Sequence, residues 1–113
     1  MGEDMSEYGN GFACEAGAED FTATAHRGGK GGRRVTVKGT CACRTPGYRL
    51  KLVLGPPPLV PTEIHLELTE EPPSGTVTQV ITPTDVEGEF DIGDEVERVV
   101  ILNRNITVIV KEG

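Results

Sequence analysis

The chain has 113 residues, with 18 acidic against 11 basic side chains (formal charge −7), three cysteines and no tryptophan. That length suits one domain able to bury about two thirds of its unfolded surface, so no metal or disulfide staple is required for folding. The longest purely apolar run, residues 99–102, excludes a membrane-spanning helix of about 20 residues, and the amino-terminal residues carry neither the basic region nor the apolar stretch of a secretory signal. A soluble, cytoplasmic location is the expectation.

Residues 1–20 are rich in Gly, Ala, Glu and Asp, which predicts a loosely attached or disordered segment with Phe12 as an anchor. From Phe21 the pattern becomes period-two alternation. Phe21, Ala23 and Ala25 fall on one strand face, and a flexible turn is expected at 26–32. The next strand sends Val35, Val37, Cys41 and Cys43 inward, with Gly39 marking a bulge. Thr45-Pro46-Gly47 turns into the alternating strand 48–54, and Gly55-Pro56-Pro57-Pro58 opens a loop to about Pro61. Ile64, Leu66 and Leu68 alternate with Glu63, His65 and Glu67. Further strands are read at 76–82, ending at Pro83, then at 86–92, 96–102 and 106–110. Asn103-Arg104-Asn105 reads as the last hairpin turn. No segment has helical periodicity. The chain is therefore all-β: residues 21–113 predict a small immunoglobulin-like β-sandwich of seven or eight mostly antiparallel strands, with a small β-barrel as the alternative.

Charge is laid out in blocks. Residues 1–20 hold six acids and no base, residues 21–51 hold eight bases and no acid, and residues 52–97 hold eleven acids and no base. Either basic strands pair with acidic ones inside one sheet, or the fold shows a basic and an acidic face that would steer a charged partner. Internal pairing is the simpler reading. Acid-rich composition with Arg exceeding Lys is also compatible with a salt-loving source.

Thr45-Pro46-Gly47-Tyr48 followed by an alternating strand resembles the Thr-Gly-Gly-Tyr turn of the protease-complex-inhibitor-type C-terminal domain family. The stretch 72–83, Pro-Pro-Ser-Gly-Thr-Val-Thr-Gln-Val-Ile-Thr-Pro, resembles that family's later Pro-Gly loop and strand, and the likeness covers about residues 45–84. The resemblance implies a small β-sandwich similar to chagasin-type cysteine-protease inhibitors, which present loops to a protease. The chain departs from the inhibitor pattern: its Gly-rich loop precedes the Tyr turn, and no Trp is present for an inhibitory loop.

Three constellations carry chemistry. Cys14, Cys41 and Cys43, with His26 and His65, offer zinc-ligand residue types, but Cys-x-Cys on one strand aims both sulfurs at the core beside Val35 and Val37. Buried thiols are therefore expected, with a disulfide from Cys14 to one partner or a metal site as alternatives. The basic, glycine-rich loop holding Arg27, Lys30, Arg33 and Arg34 could grip an anion or nucleic acid. It lacks the Gly-Lys-Ser/Thr order of a phosphate-binding loop and any interleaved aromatic, which argues against nucleic acid. Glu87, Glu89, Asp91, Asp94 and Glu95 could collect Ca²⁺ but lack the spacing of an EF-hand and are expected to form a solvated face. Asn105-Ile106-Thr107 matches the glycosylation pattern, a coincidence in a chain read without a signal. Both histidines read as solvent-facing, with no nucleophile and orienting acid beside them. The sequence thus predicts a non-enzymatic, cofactor-free domain that binds a protein partner through Arg27, Lys30, Arg33, Arg34, Pro46, Gly47 and Tyr48. A metal- or redox-responsive domain using the cysteines is the alternative, and anion binding through 27–34 the second.

Overall fold

Alternating side chains become eight strands in the computed structural model, which describes residues 12–28, 32–75 and 77–113. They are β1 (Cys14–Glu15), β2 (Phe21–Arg27), β3 (Arg33–Cys43), β4 (Arg49–Leu54), β5 (Glu63–Glu71), β6 (Thr82–Ile92), β7 (Arg98–Ile101) and β8 (Ile106–Glu112). Two short 3-10 turns, Ala18–Asp20 and Leu102–Arg104, are the only helical elements among the described residues. β3 organises one half: β6 pairs with it along its whole length, and β2 and β1 share its other edge. β4, β5 and β7 make the other half. β8 links the two, pairing with β7 through residues 106–109 and with β2 through 110–112. Five of the seven pairings are antiparallel; β2–β8 and β5–β7 are parallel. The outer strands β4 and β6 are not hydrogen-bonded to each other, so the sheet does not close into a barrel.

Both halves contribute to a single core. Phe21, Ala23, Val35 and Val37 meet Leu52, Leu66, Leu68, Val99, Ile101 and Val108. Burying each large aliphatic side chain stabilises the fold by about 1.5–3 kcal/mol. It also fixes register, because a one-residue slip would turn every one of these side chains to water.

Three sequence expectations are corrected. First, the strand read at 76–82 is not found among the described residues. Thr76 lies outside the described residues, 77–81 are irregular, and a single strand runs from Thr82 through Pro83 to Ile92. The reason is β3: its residues 33–43 pair one-to-one with 92–82, so the ladder stops at Cys43↔Thr82. Pro83 is tolerated because β6 pairs on one edge only, leaving an edge that needs no N–H. Second, Gly39 sits in regular register with Phe21 and Val86 and marks no bulge. A Cβ there would lie 2.3 Å from the Phe21 ring, so glycine makes room for the aromatic packed on it. Third, the segment expected to be loose before Phe21 is tied down from Phe12 onward, through β1 and its bonds, while residues 1–11 lie outside the described residues.

Candidate functional site

Arg33 and Cys43 stand at opposite ends of β3, roughly 30 Å apart at the rise of an extended strand. The residues picked from the sequence divide between these ends. Arg27, Arg33 and Arg34 lie at one; Pro46, Gly47 and Tyr48 lie at the other; Lys30 lies outside the described residues. No single surface gathers them.

At the first end, Arg33 points into the protein. Its side chain is 7% exposed and its Nη1 donates to the carbonyls of Gly93 (2.9 Å), Asp94 (3.3 Å) and Val96 (3.0 Å), while Nη2 meets Glu112. Arg33 thus pins the β6–β7 turn and the end of β8, and its expected place on a binding surface is corrected. Arg34 meets Asp91 at 2.7 Å and Glu89 at 3.3 Å; Arg27 meets Asp94 at 2.8 Å; His26 bonds Thr36 and approaches Glu89, each at 3.3 Å. Register explains the pattern, since β3 lies against β6 with Arg34 opposite Asp91 and Lys38 opposite Glu87. The basic and acidic blocks therefore face one another inside one sheet. Among the described residues no three His, Cys, Asp or Glu side chains come together as a metal site, the acid row included.

At the second end, Cys14 and Cys43, direct neighbours across the β1–β3 ladder, form a disulfide, and Cys41 is a buried free thiol. Three buried thiols were expected; the pairing corrects this, because β1 lies on the edge of β3 that β2 leaves open beyond Gly39. The bond also takes two of three sulfurs out of any metal-ligand set. Burial pushes the Cys41 thiol up, against a smaller downward pull from Arg104. The Arg104 side chain is 5% exposed, and its ion pair with the Glu70 side chain (13% exposed) spans 2.8 Å. Arg104 also donates to the Cys14 carbonyl and lies 3.7 Å from the Phe12 ring centroid, and Glu70 accepts from the backbone N–H groups of Ala13 and Cys14. Phe12 is the anchor that the sequence suggested. Tyr48 packs against the core, and Gly47, at φ 95°, closes so tightly on Pro73 that a Cβ would lie 2.7 Å from the proline Cβ. The turn is a structural joint between two loops.

Two features escaped the sequence reading. His65 was expected to face solvent; its side chain is 19% exposed, with Nε2 2.9 Å from Glu63, whose other oxygen accepts from Arg98 at 3.3 Å. The hydrogen bond from His65 chiefly, and Arg98 after it, hold the Glu63 carboxyl below its usual 4.5. Glu63 and His65 border a recess of about 310 Å³ lined also by Leu54, Ile64, Ile92 and the prolines 56–58. Beyond it the β4–β5 loop carries Leu59, fully exposed, with Leu54 and Val60 also in solvent. The Gly55 N–H donates to the His65 carbonyl (2.9 Å) and the Thr62 carbonyl accepts from Glu97 (2.7 Å), so the loop is fixed at both ends. Its signal in the sequence was apolar Leu59-Val60 set among prolines that cannot enter a ladder.

Among the described residues no helix is long and apolar enough to cross a membrane. No protein-family model, no curated protein and no solved structure matches this chain, so its function must be argued from the geometry of its own residues.

Proposed function

We propose that the chain is a non-enzymatic protein-interaction domain whose binding surface is the proline-stiffened β4–β5 loop. One observation carries this reading: Leu59 stands wholly exposed between Pro58 and Pro61, beside exposed Val60 and Leu54, on a loop bonded at both ends to the sheet. Prolines restrict the unbound loop, so an apolar side chain held out there loses little entropy on docking. The acids alongside are largely engaged within the protein, Glu63 by His65 and Arg98, Asp91 by Arg34, Asp94 by Arg27 and Glu97 by Arg98, which leaves apolar contact to carry the binding. The partner that fits is a protein surface with an apolar pocket. An immunoglobulin-like sandwich presenting loops, and the resemblance to chagasin-type inhibitors, belong to the same proposal, with this loop as the one offered to a protease cleft. A photo-crosslinking residue at Val60 tests it. The expected result is a discrete adduct with a different protein, absent when Leu59→Glu is added and absent from a crosslinker at Thr22; equal labelling from Thr22 would sink it.

A redox-responsive role is the second reading, supported by the Cys14–Cys43 disulfide lying on the same strand face as the Cys41 thiol. Thiol counting decides it. The native protein should label at no cysteine, the denatured protein at one, and the denatured, reduced protein at three. Binding by the loop that is unchanged after reduction by a dithiol would remove redox control.

A further inference from the structure

Between β5 and β6 the chain leaves the sheet uncharged. From Pro72 to Thr84 it carries no ionisable side chain, its longest such run, in a molecule of net charge −7. Within this run residues 77–81 join no ladder among the described residues, although Val77, Thr78, Val80, Ile81 and the following Thr82 are all β-branched, the residue type that favours strands. Val80 and Ile81 are 51% and 66% exposed. The segment leads without interruption into β6, which β3 holds in register; within it the Val80 N–H donates to the Thr78 carbonyl at 3.0 Å, a local bond that strand pairing would replace. The rest of β6 is guarded by Asp85, Glu87, Glu89 and Asp91, which discourage edge pairing; 77–82 has no such guard.

We propose that residues 77–81 pair antiparallel with the same residues of a second copy of this chain, giving a two-fold dimer. Charge selects this occupant. Two copies of an acidic chain repel, and along this run, the longest without charge, they can meet with no like charge opposed. Antiparallel pairing about Gln79 sets Val77 against Ile81 and Thr78 against Val80, so the patch is self-complementary, as a two-fold contact requires. Pro73 and Pro83 bound the pairing, which keeps it a closed dimer and not an open fibre.

The experiment is sedimentation equilibrium of the full chain from micromolar to near-millimolar concentration. The wild-type protein should pass from the mass of one chain to that of two. Ile81→Lys and Val80→Lys, both at exposed positions, should stay at the mass of one chain while unfolding at the wild-type midpoint. Gln79→Cys, placed on the two-fold axis, should give a covalent dimer on mild oxidation, where Thr22→Cys should not. A wild-type chain that stays monomeric throughout overturns the proposal and leaves the segment to a strand of another protein. Lysine variants that dimerise like wild type overturn it in favour of a different contact. This outcome is independent of the Leu59 surface, which lies on another loop.

Discussion

Arg33 and Arg104 are both nearly buried arginines, one towards each end of the sheet, and each fastens a segment distant in sequence. They differ in what meets their charge. Arg33 binds three backbone carbonyls, and its carboxylate partner Glu112 is 69% exposed, so water shares in that ion pair. Arg104 faces Glu70 in near-complete burial, its Nε has no hydrogen-bond partner among the described residues, and a disulfide lies beside it. The Arg33 end is held by hydrogen bonds around solvated charge, and the Arg104 end by a covalent bond and a dry ion pair. The lesson is that eight basic residues in one block imply no basic surface: one is buried, and register against an acidic strand engages others.

The disulfide should show the difference most strongly. Cys14→Ser opens a bridge between cysteines 29 positions apart and is expected to cost about 3–4 kcal/mol in denaturant unfolding, with hydrogen exchange rising first at 12–16. A loss under 1 kcal/mol would mean that the bonds of Arg104 and Glu70 hold β1 unaided. Next, Arg104→Met strands the Glu70 carboxylate in the interior and should cost about 3 kcal/mol; adding Glu70→Leu should recover a large part of that, because a buried ion pair is worth little against apolar packing. No recovery in the double variant would place the cost in the lost bonds to Cys14 and Phe12. Arg33→Met should cost less, about 2 kcal/mol, from carbonyls left unpaired, while Glu112→Gln should fall within about 0.5 kcal/mol of wild type. A Glu112 effect as large as that of Arg33 would contradict the solvated character of this end.

The smallest effect is a matter of pH. Glu63 has its carboxyl lowered in the folded protein, so its contribution is complete above the ordinary value of 4.5 and drains away as pH falls through the folded value. Urea midpoints between pH 6 and pH 3 should fall less steeply for Glu63→Gln than for wild type. Parallel curves would deny the His65 and Arg98 bonds any role in stability.

Period two made the strands legible in the sequence, because inward Val35, Val37, Leu66 and Leu68 recur with the pleat. The strand read at 76–82 was a propensity without a partner: β-branched residues favour a strand, but only a neighbouring ladder makes one, and β3 ends at Cys43. The buried arginines were hidden for a related reason. Arg104 acquires its meaning from Glu70 and Cys14, 34 and 90 positions away, and no local pattern encodes such meetings. Cysteine pairing was equally closed, since alternation sends Cys41 and Cys43 inward alike and only β1 chooses between them. The candidate site was legible in part. Prolines marked the β4–β5 loop, while the bonds that stiffen it come from His65 and Glu97.

The central claim is that binding resides in the apolar β4–β5 loop while the paired charges serve the fold. It is tested most directly by measuring affinity for the protein captured at Val60 with two variants side by side, Leu59→Glu/Val60→Glu and Arg27→Gln/Arg34→Gln. Binding abolished in the first and within a few-fold of wild type in the second is the predicted result. Binding retained in the first and lost in the second would contradict the claim and return the function to the arginines.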